Sequence, residues 1–151
     1  MVHIPKNTSS AHMNLSSTTS RILALADIAW KPNDNEMQNE LSSFNPQSPY
    51  AIAKTFAYYI TRYYRQTYKI HASTAILFNH ESPRRTPDYV TRKITQSVAR
   101  IVLGKQEKLV LGDMSAKIDW GYAKDFMYAA WSMLQKDEPD DYVIATGEAH
   151  S

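Results

Sequence analysis

Two side-chain pairs in this chain have the spacing of a proton-transfer device. Tyr50 and Lys54 stand four residues apart, and so do Tyr89 and Lys93. On a helix that spacing puts both side chains on one face. An ammonium beside a phenol favours the phenolate, and such a tyrosine takes a proton from a hydroxyl while hydride leaves its carbon. The spacing alone does not choose between the pairs, and a plain helix-surface pair is the simpler reading of either. A second chemically able group is the run Asn79-His80-Glu81-Ser82-Pro83-Arg84-Arg85. Arginine and lysine grip phosphates through charge-assisted hydrogen bonds, and asparagine offers both a donor and an acceptor. Taken alone, His80 reads as a structural imidazole, and Arg84 and Arg85 as a solvated turn.

The elements that must position these residues are legible from Glu40 onward. Ser48 reads as an N-cap with Pro49 in the first helical position. Ile52, Phe56, Tyr59, Ile60 and Tyr63 then recur at helical spacing, predicting a helix to about Tyr68. The apolar, partly β-branched stretch from Ile70 to Phe78 predicts a buried strand. Pro83 and Pro87 frame a loop. Asp88 is placed to cap a second helix with the stripe Val90, Ile94, Val98, Ile101 and Val102, ended by Gly104. A short strand is expected over Lys108 to Leu111, and a turn from Gly112 to Lys117. A third helix is expected from Tyr122 to Gln135 with Phe126, Ala129, Ala130 and Met133 inward. The last strand is expected over Tyr142 to Thr146. Helices alternating with strands imply an α/β domain with a largely parallel sheet.

Residues 1–39 differ in character. They are polar and rich in Ser, Thr and Asn, and only Arg21 to Trp30 has the make-up of an ordered element. A divergent, partly disordered segment is the expectation there. The sequence has 151 residues, enough for one sizeable core, and its net charge of +2 gives no general pull towards nucleic acid or membrane. Tyr58, Arg62, Tyr63, Arg65, Tyr68 and Lys69 interleave aromatics with cations, but helix periodicity divides them between core and solvent, so no nucleic-acid partner is expected. No apolar run approaches the ~20 residues of a membrane span. There is no cysteine, which excludes disulfides, thiolate metal sites and a cysteine nucleophile, and fits a reducing, cytoplasmic setting. His3, His12, His71 and His150 show no metal-ligand spacing, and no metal is expected.

From Glu40 to Ser151 the chain resembles the GDP-mannose 4,6-dehydratase family of the extended short-chain dehydrogenase/reductase superfamily. The stretches that carry the resemblance are "SPYAIAKTFAYYITRYYRQTYKIHAS", "ILFNHESPRR", "VTRKI", "DWGYAKDFMYAAWSMLQ" and "DEPDDYVIATGEAHS". The long loop and "DWGYAKD" are far more specific than Tyr-x3-Lys. The resemblance implies an incomplete NAD(P)-binding Rossmann-like fold over 40–151, with part of the small substrate-binding domain. It implies Tyr50 as catalytic base and Lys54 as the residue that holds the nicotinamide ribose and depresses the tyrosine's pKa. His80 and Arg85 would contact NADP, Asn79 and Lys93 the sugar-nucleotide diphosphate of GDP-mannose, and Arg84 a neighbouring subunit. The implied lyase reaction is an internal redox dehydration giving GDP-4-keto-6-deoxymannose and water.

Several positions depart from that family's pattern. Ala26-Asp27-Ile28 stands where a Thr-Ser-Glu stretch is expected, and Thr18-Thr19-Ser20 lies farther upstream. Ile118 replaces an arginine, Asp113 an asparagine, and Thr74-Ala75 an Asn-Gly pair. No glycine precedes Gly104, so no glycine-rich turn can cradle a pyrophosphate. The expectation is a truncated or degenerate copy with little activity alone. The alternative is a non-catalytic module pairing with a full-length homologue through the helix that begins at Tyr50, which in this superfamily commonly lines a dimer interface. A parallel sheet short of its first strands exposes an edge and apolar faces, so homo- or hetero-oligomers are expected either way.

Overall fold

The computed structural model describes residues 21–26 and 38–151. Thr18, Thr19, Ser20 and Asp27, and with them most of the divergent N-terminal segment, lie outside the described residues. Among the described residues the central sheet has three parallel strands, β1 (Ile22–Ala26), β2 (Ala72–Leu77) and β5 (Asp141–Ile144), in the order β1-β2-β5. Ile22 pairs with Ala72, and Thr74 with Asp141. Every residue of β2 is buried, as a middle strand covered on both faces requires. The expected strand over Ile70 to Phe78 is thus present, and Arg21 to Trp30 contributes the strand β1 through its first half.

Helix α1 (Pro49–Tyr68) forms as its start signals predict. Ser48 Oγ accepts from the Ala51 N–H at 3.1 Å, and proline occupies the first turn, where its missing N–H costs nothing. The helix stops at Lys69, which adopts the left-handed conformation with φ 54°. It packs on β1 and β2 through Ala51, Tyr58 and Thr61. The apolar stripe Ile52, Phe56, Tyr59, Ile60 and Tyr63 is exposed instead. It lies one residue on from the buried stripe, about 100° around the helix axis. On the far side of the sheet, α3 (Ala123–Met133) sends Phe126, Ala129, Ala130 and Met133 inward, as expected. They join Ala75, Leu77 and Ile144 in the larger core cluster, while Tyr58 and Ile76 form the smaller one under α1.

A charged tie holds α1 to the sheet's amino end. Arg65 Nη2 is 2.7 Å from Asp141 Oδ2, Arg65 Nη1 donates to the Ala72 carbonyl at 2.9 Å, and Arg62 donates to the Tyr58 hydroxyl at 2.7 Å. Glu40 accepts from the Val143 N–H at 2.8 Å on β5.

A second, smaller sheet has the order β3-β4-β6: β3 (Asn79–Glu81), β4 (Ile118–Tyr122) and β6 (Ala149–His150). Three expectations change in this half of the chain. Asn79-His80-Glu81 is not loop but a strand, because β4 offers a parallel partner distant in sequence. Lys108 to Leu111 is irregular; it has strand-like composition, but among the described residues no strand pairs with it, and Gln106 donates to the Lys108 carbonyl. Helix α2 (Val90–Val102) starts at Tyr89 without a side-chain cap, so Asp88 does not serve. Its end is as expected: Gly104, at φ 67°, lets its own N–H reach Ile101 O and the Lys105 N–H reach Arg100 O.

Candidate active site

Ligands of open parallel sheets gather beyond the carboxyl ends of the strands. The first turn of α1 sits there, over β1. Lys54 Nζ donates to the Leu25 carbonyl at 3.3 Å and lies 5.4 Å from the centroid of the Tyr50 ring. That distance is within the range of a cation–π contact. The backbone of β1 therefore anchors the ammonium, and the helix spacing puts the phenol beside it. Tyr50 is more than half exposed.

Beyond the carboxyl end of β2, the neighbouring strand, the chain passes through Phe78 directly into β3. Adjacent strands stand about 4.8 Å apart, so the Tyr50–Lys54 pair and the start of β3 share one end of the sheet with a lateral offset of one strand. On β3, His80 Nδ1 is 3.0 Å from the Phe78 carbonyl, and its ring stacks on Phe126 with centroids 5.3 Å apart and planes at 24°. A carbonyl can only accept, so Nδ1 carries the hydrogen, and in the neutral ring Nε2 keeps its lone pair. Asn79 is exposed beside it.

Arg85 is held on two sides. Its Nε is 3.2 Å from Glu81 Oε2, and its guanidinium lies 3.5 Å from the Tyr89 ring centroid. The Glu81 contact is a charge pair without hydrogen-bond alignment, since Nε finds no acceptor at a bonding angle. Glu81 Oε2 is fixed in turn by the Thr91 hydroxyl at 2.8 Å. These contacts distinguish the two Tyr-x3-Lys pairs. The cation over Tyr50 is its own Lys54, whereas the cation over Tyr89 is Arg85. Lys93 is exposed on the first turn of α2. Glu81, Thr91 and the Leu25 carbonyl were not legible as site-shaping groups, because each acts through a contact that spacing does not encode.

Two open hollows of about 460 and 410 Å³ share Ser82, Pro83 and Tyr122, one flanked by Arg84 and Lys124 and the other by Thr91 and Arg92. Neither is lined by Tyr50, Lys54 or His80. A hollow of about 490 Å³ lies at the amino end of the sheet around the Arg65–Asp141 tie. Among the described residues no three His, Cys, Asp or Glu side chains converge as a metal site, and no helix is long and apolar enough to cross a membrane.

The family model for GDP-mannose 4,6 dehydratase matches residues 31–151. The chain belongs to the GDP-mannose 4,6-dehydratase family. It is 56% identical over 114 residues to the GDP-mannose 4,6 dehydratase of Dictyostelium discoideum, covering 76% of this chain and 32% of that protein. The human protein of the same name gives 56% over 114 residues, with 31% of its length covered. The Yersinia enterocolitica GDP-mannose 4,6-dehydratase gives 54% over 111 residues, covering 74% of this chain and 30% of that protein. The chain thus spans about a third of the length of these curated relatives. Among solved structures it resembles a dTDP-glucose 4,6-dehydratase from Bacillus anthracis in complex with NAD, with a TM-score of 0.75, 22% identity, and coverage of 87% of this chain and 42% of that one. A Thermus thermophilus UDP-glucose 4-epimerase complex with NAD gives 0.69 and 23%, with 86% and 44% covered. At such identities these likenesses establish the Rossmann-type α/β fold.

Proposed function

We propose that this chain carries the proton-transfer pair and part of the cofactor grip of a GDP-mannose 4,6-dehydratase, acting on GDP-mannose with NADP in the cytoplasm. The observation that carries this reading is Lys54, tethered to the Leu25 carbonyl and set 5.4 Å over the Tyr50 ring at the carboxyl end of the sheet. The residues present suit a nicotinamide dinucleotide in part. Lys54 offers donors for ribose hydroxyls, His80 Nε2 an acceptor, and Arg85 a pre-oriented cation for phosphate. When bound, that cofactor supplies the hydride acceptor and donor.

Within this reading Tyr50 accepts the proton of the sugar's C4 hydroxyl at its phenolic oxygen, and Lys54 places a positive charge beside it as the proton moves. The ketone formed at C4 makes the C5 proton acidic, which allows water to leave across C5 and C6. Asn79 and Lys93 serve the diphosphate. The 151 residues contain neither a glycine-rich phosphate turn nor the Thr-Ser-Glu stretch, so turnover by the isolated polypeptide is expected to be slow or nil. Two measurements test the reading. NADP titrated into the chain is expected to perturb the Tyr50 and Lys54 resonances, with the effect lost in Lys54→Met; no perturbation in the native chain refutes the cofactor grip. GDP-mannose with NADP is expected to give little 4-keto product, and robust product refutes the claim that the missing groups matter.

A second reading is favoured by the outward stripe of α1. Ile52, Phe56, Tyr59, Ile60 and Tyr63 form an apolar, aromatic strip of the kind that fills interface cores. The chain would then pair through α1 with a second copy or with a full-length homologue, with or without chemistry of its own.

A further inference from the structure

The His80 ring is held by a stacked phenyl as well as by its own hydrogen bond. We propose that Phe126 is a positioning residue for His80, seated in a notch that only a glycine at 121 leaves open, and that it keeps the imidazole in its Nδ1–H form. This inference rests on the reading that His80 serves the cofactor.

Three observations meet at this point. His80 and Gly121 are paired neighbours on β3 and β4. A Cβ at Gly121 would stand 2.8 Å from Phe126 Cζ and closer still to Cε2, so any side chain there evicts the ring. Phe126 is fully buried, packed in the core with Ala129 and Met133, and cannot yield by turning outward. Its ring therefore has one place, and the near-parallel stack at 5.3 Å gives the imidazole one plane. In that plane Nδ1 meets the Phe78 carbonyl at 3.0 Å, and Nε2 is left as a lone-pair acceptor with no bond to the described residues.

The chain contains its own control. His71 Nε2 lies 3.0 Å from the Lys136 carbonyl, so His71 holds the opposite tautomer, on the sheet's other end. Long-range proton–nitrogen correlation spectra of the nitrogen-labelled chain read both, with His80→Gln and His71→Gln assigning the signals. The native chain is expected to show His80 as Nδ1–H and His71 as Nε2–H. In Gly121→Ala and in Phe126→Leu, which removes the flat face and keeps much of the volume, the Nε2–H form of His80 should rise about fivefold, the change that follows from losing one modest hydrogen bond. His71 should stay as it was. A general loss of structure moves both histidines, and a positioning role moves His80 alone.

A native His80 in the Nε2–H form overturns the proposal without any variant. So does a His80 that keeps its tautomer in both variants while the chain stays folded. NADP affinity, measured by equilibrium dialysis on the same set, separates this from the functional reading. If His80→Gln binds NADP as well as the native chain while Gly121→Ala still shifts the tautomer, Phe126 positions His80 but His80 does not serve the cofactor. If His80→Gln weakens binding and Gly121→Ala leaves both tautomer and affinity alone, the positioning role is wrong and the cofactor role stands.

Discussion

Replacing Phe56 with arginine tests whether the outward face of α1 is a surface that another copy covers. Phe56 is 66% exposed and sits in the middle of the apolar strip. A phenylalanine offers roughly 200 Å² for burial, so about 130 Å² is available here. At about 25 cal/mol per Å² this is worth about 3 kcal/mol per copy. A twofold interface uses the same patch on both partners, so one substitution removes about 6 kcal/mol as an upper bound. If only half of that is realised, the dissociation constant still rises by roughly 200-fold. The guanidinium adds a further penalty, because two like charges would face each other in the contact. Sedimentation velocity from about 1 to 100 µM reads the result; micromolar dissociation constants correspond to about 8 kcal/mol. The native chain is expected to form dimers or larger species in that range, and Phe56→Arg to remain monomeric with an unchanged circular dichroism spectrum. A native chain that is monomeric throughout, or a variant that associates equally well, refutes the interface. Adding a full-length family member to both chains then separates self-pairing from pairing with a homologue.

Three further outcomes follow from the fold. Arg65→Met should cost about 3 kcal/mol in urea unfolding, because it leaves the buried Asp141 carboxylate with only Arg62 at 3.8 Å, whereas Arg65→Met combined with Asp141→Leu should recover most of the loss; equal losses in both would show that the charge pair is not what ties α1 to β5. Asp119→Asn should cost about 2 kcal/mol and speed amide exchange in 146–150, since the carboxylate accepts from the Thr146 N–H at 3.0 and 3.1 Å and the Gly147 N–H at 2.8 Å; unchanged exchange would contradict this. Burial raises the Tyr58 phenol above its usual value of 10.0, so the folded state favours the neutral form. Its contribution is intact below the unfolded value and fades as pH climbs through the folded one, and Tyr58→Phe should flatten the loss of stability seen above about pH 10; an identical slope in native and variant chains would remove Tyr58 as its cause.

What local chemistry dictates was readable before any coordinates. The Ser48-Pro49 start of α1, the uninterrupted apolar run of β2, the glycine stop at Gly104 and the inward quartet of α3 each depend on residues within a few positions of one another. The family match was legible for the same reason, because its motifs are short and contiguous. Partner-dependent features were not legible. Asn79–Glu81 is a strand because β4 arrives from some forty residues away, and Lys108 to Leu111 is not one because no strand among the described residues pairs with it. Periodicity marked the apolar stripe of α1 but could not say which side meets the sheet, and the smaller Ala51–Tyr58–Thr61 face won that place. That Lys54 beside Tyr50 is anchored on a β1 carbonyl, and that the cation over Tyr89 is Arg85, was equally beyond the reach of spacing. Spacing places side chains on a helix face, but what that face meets depends on packing between segments far apart in the chain.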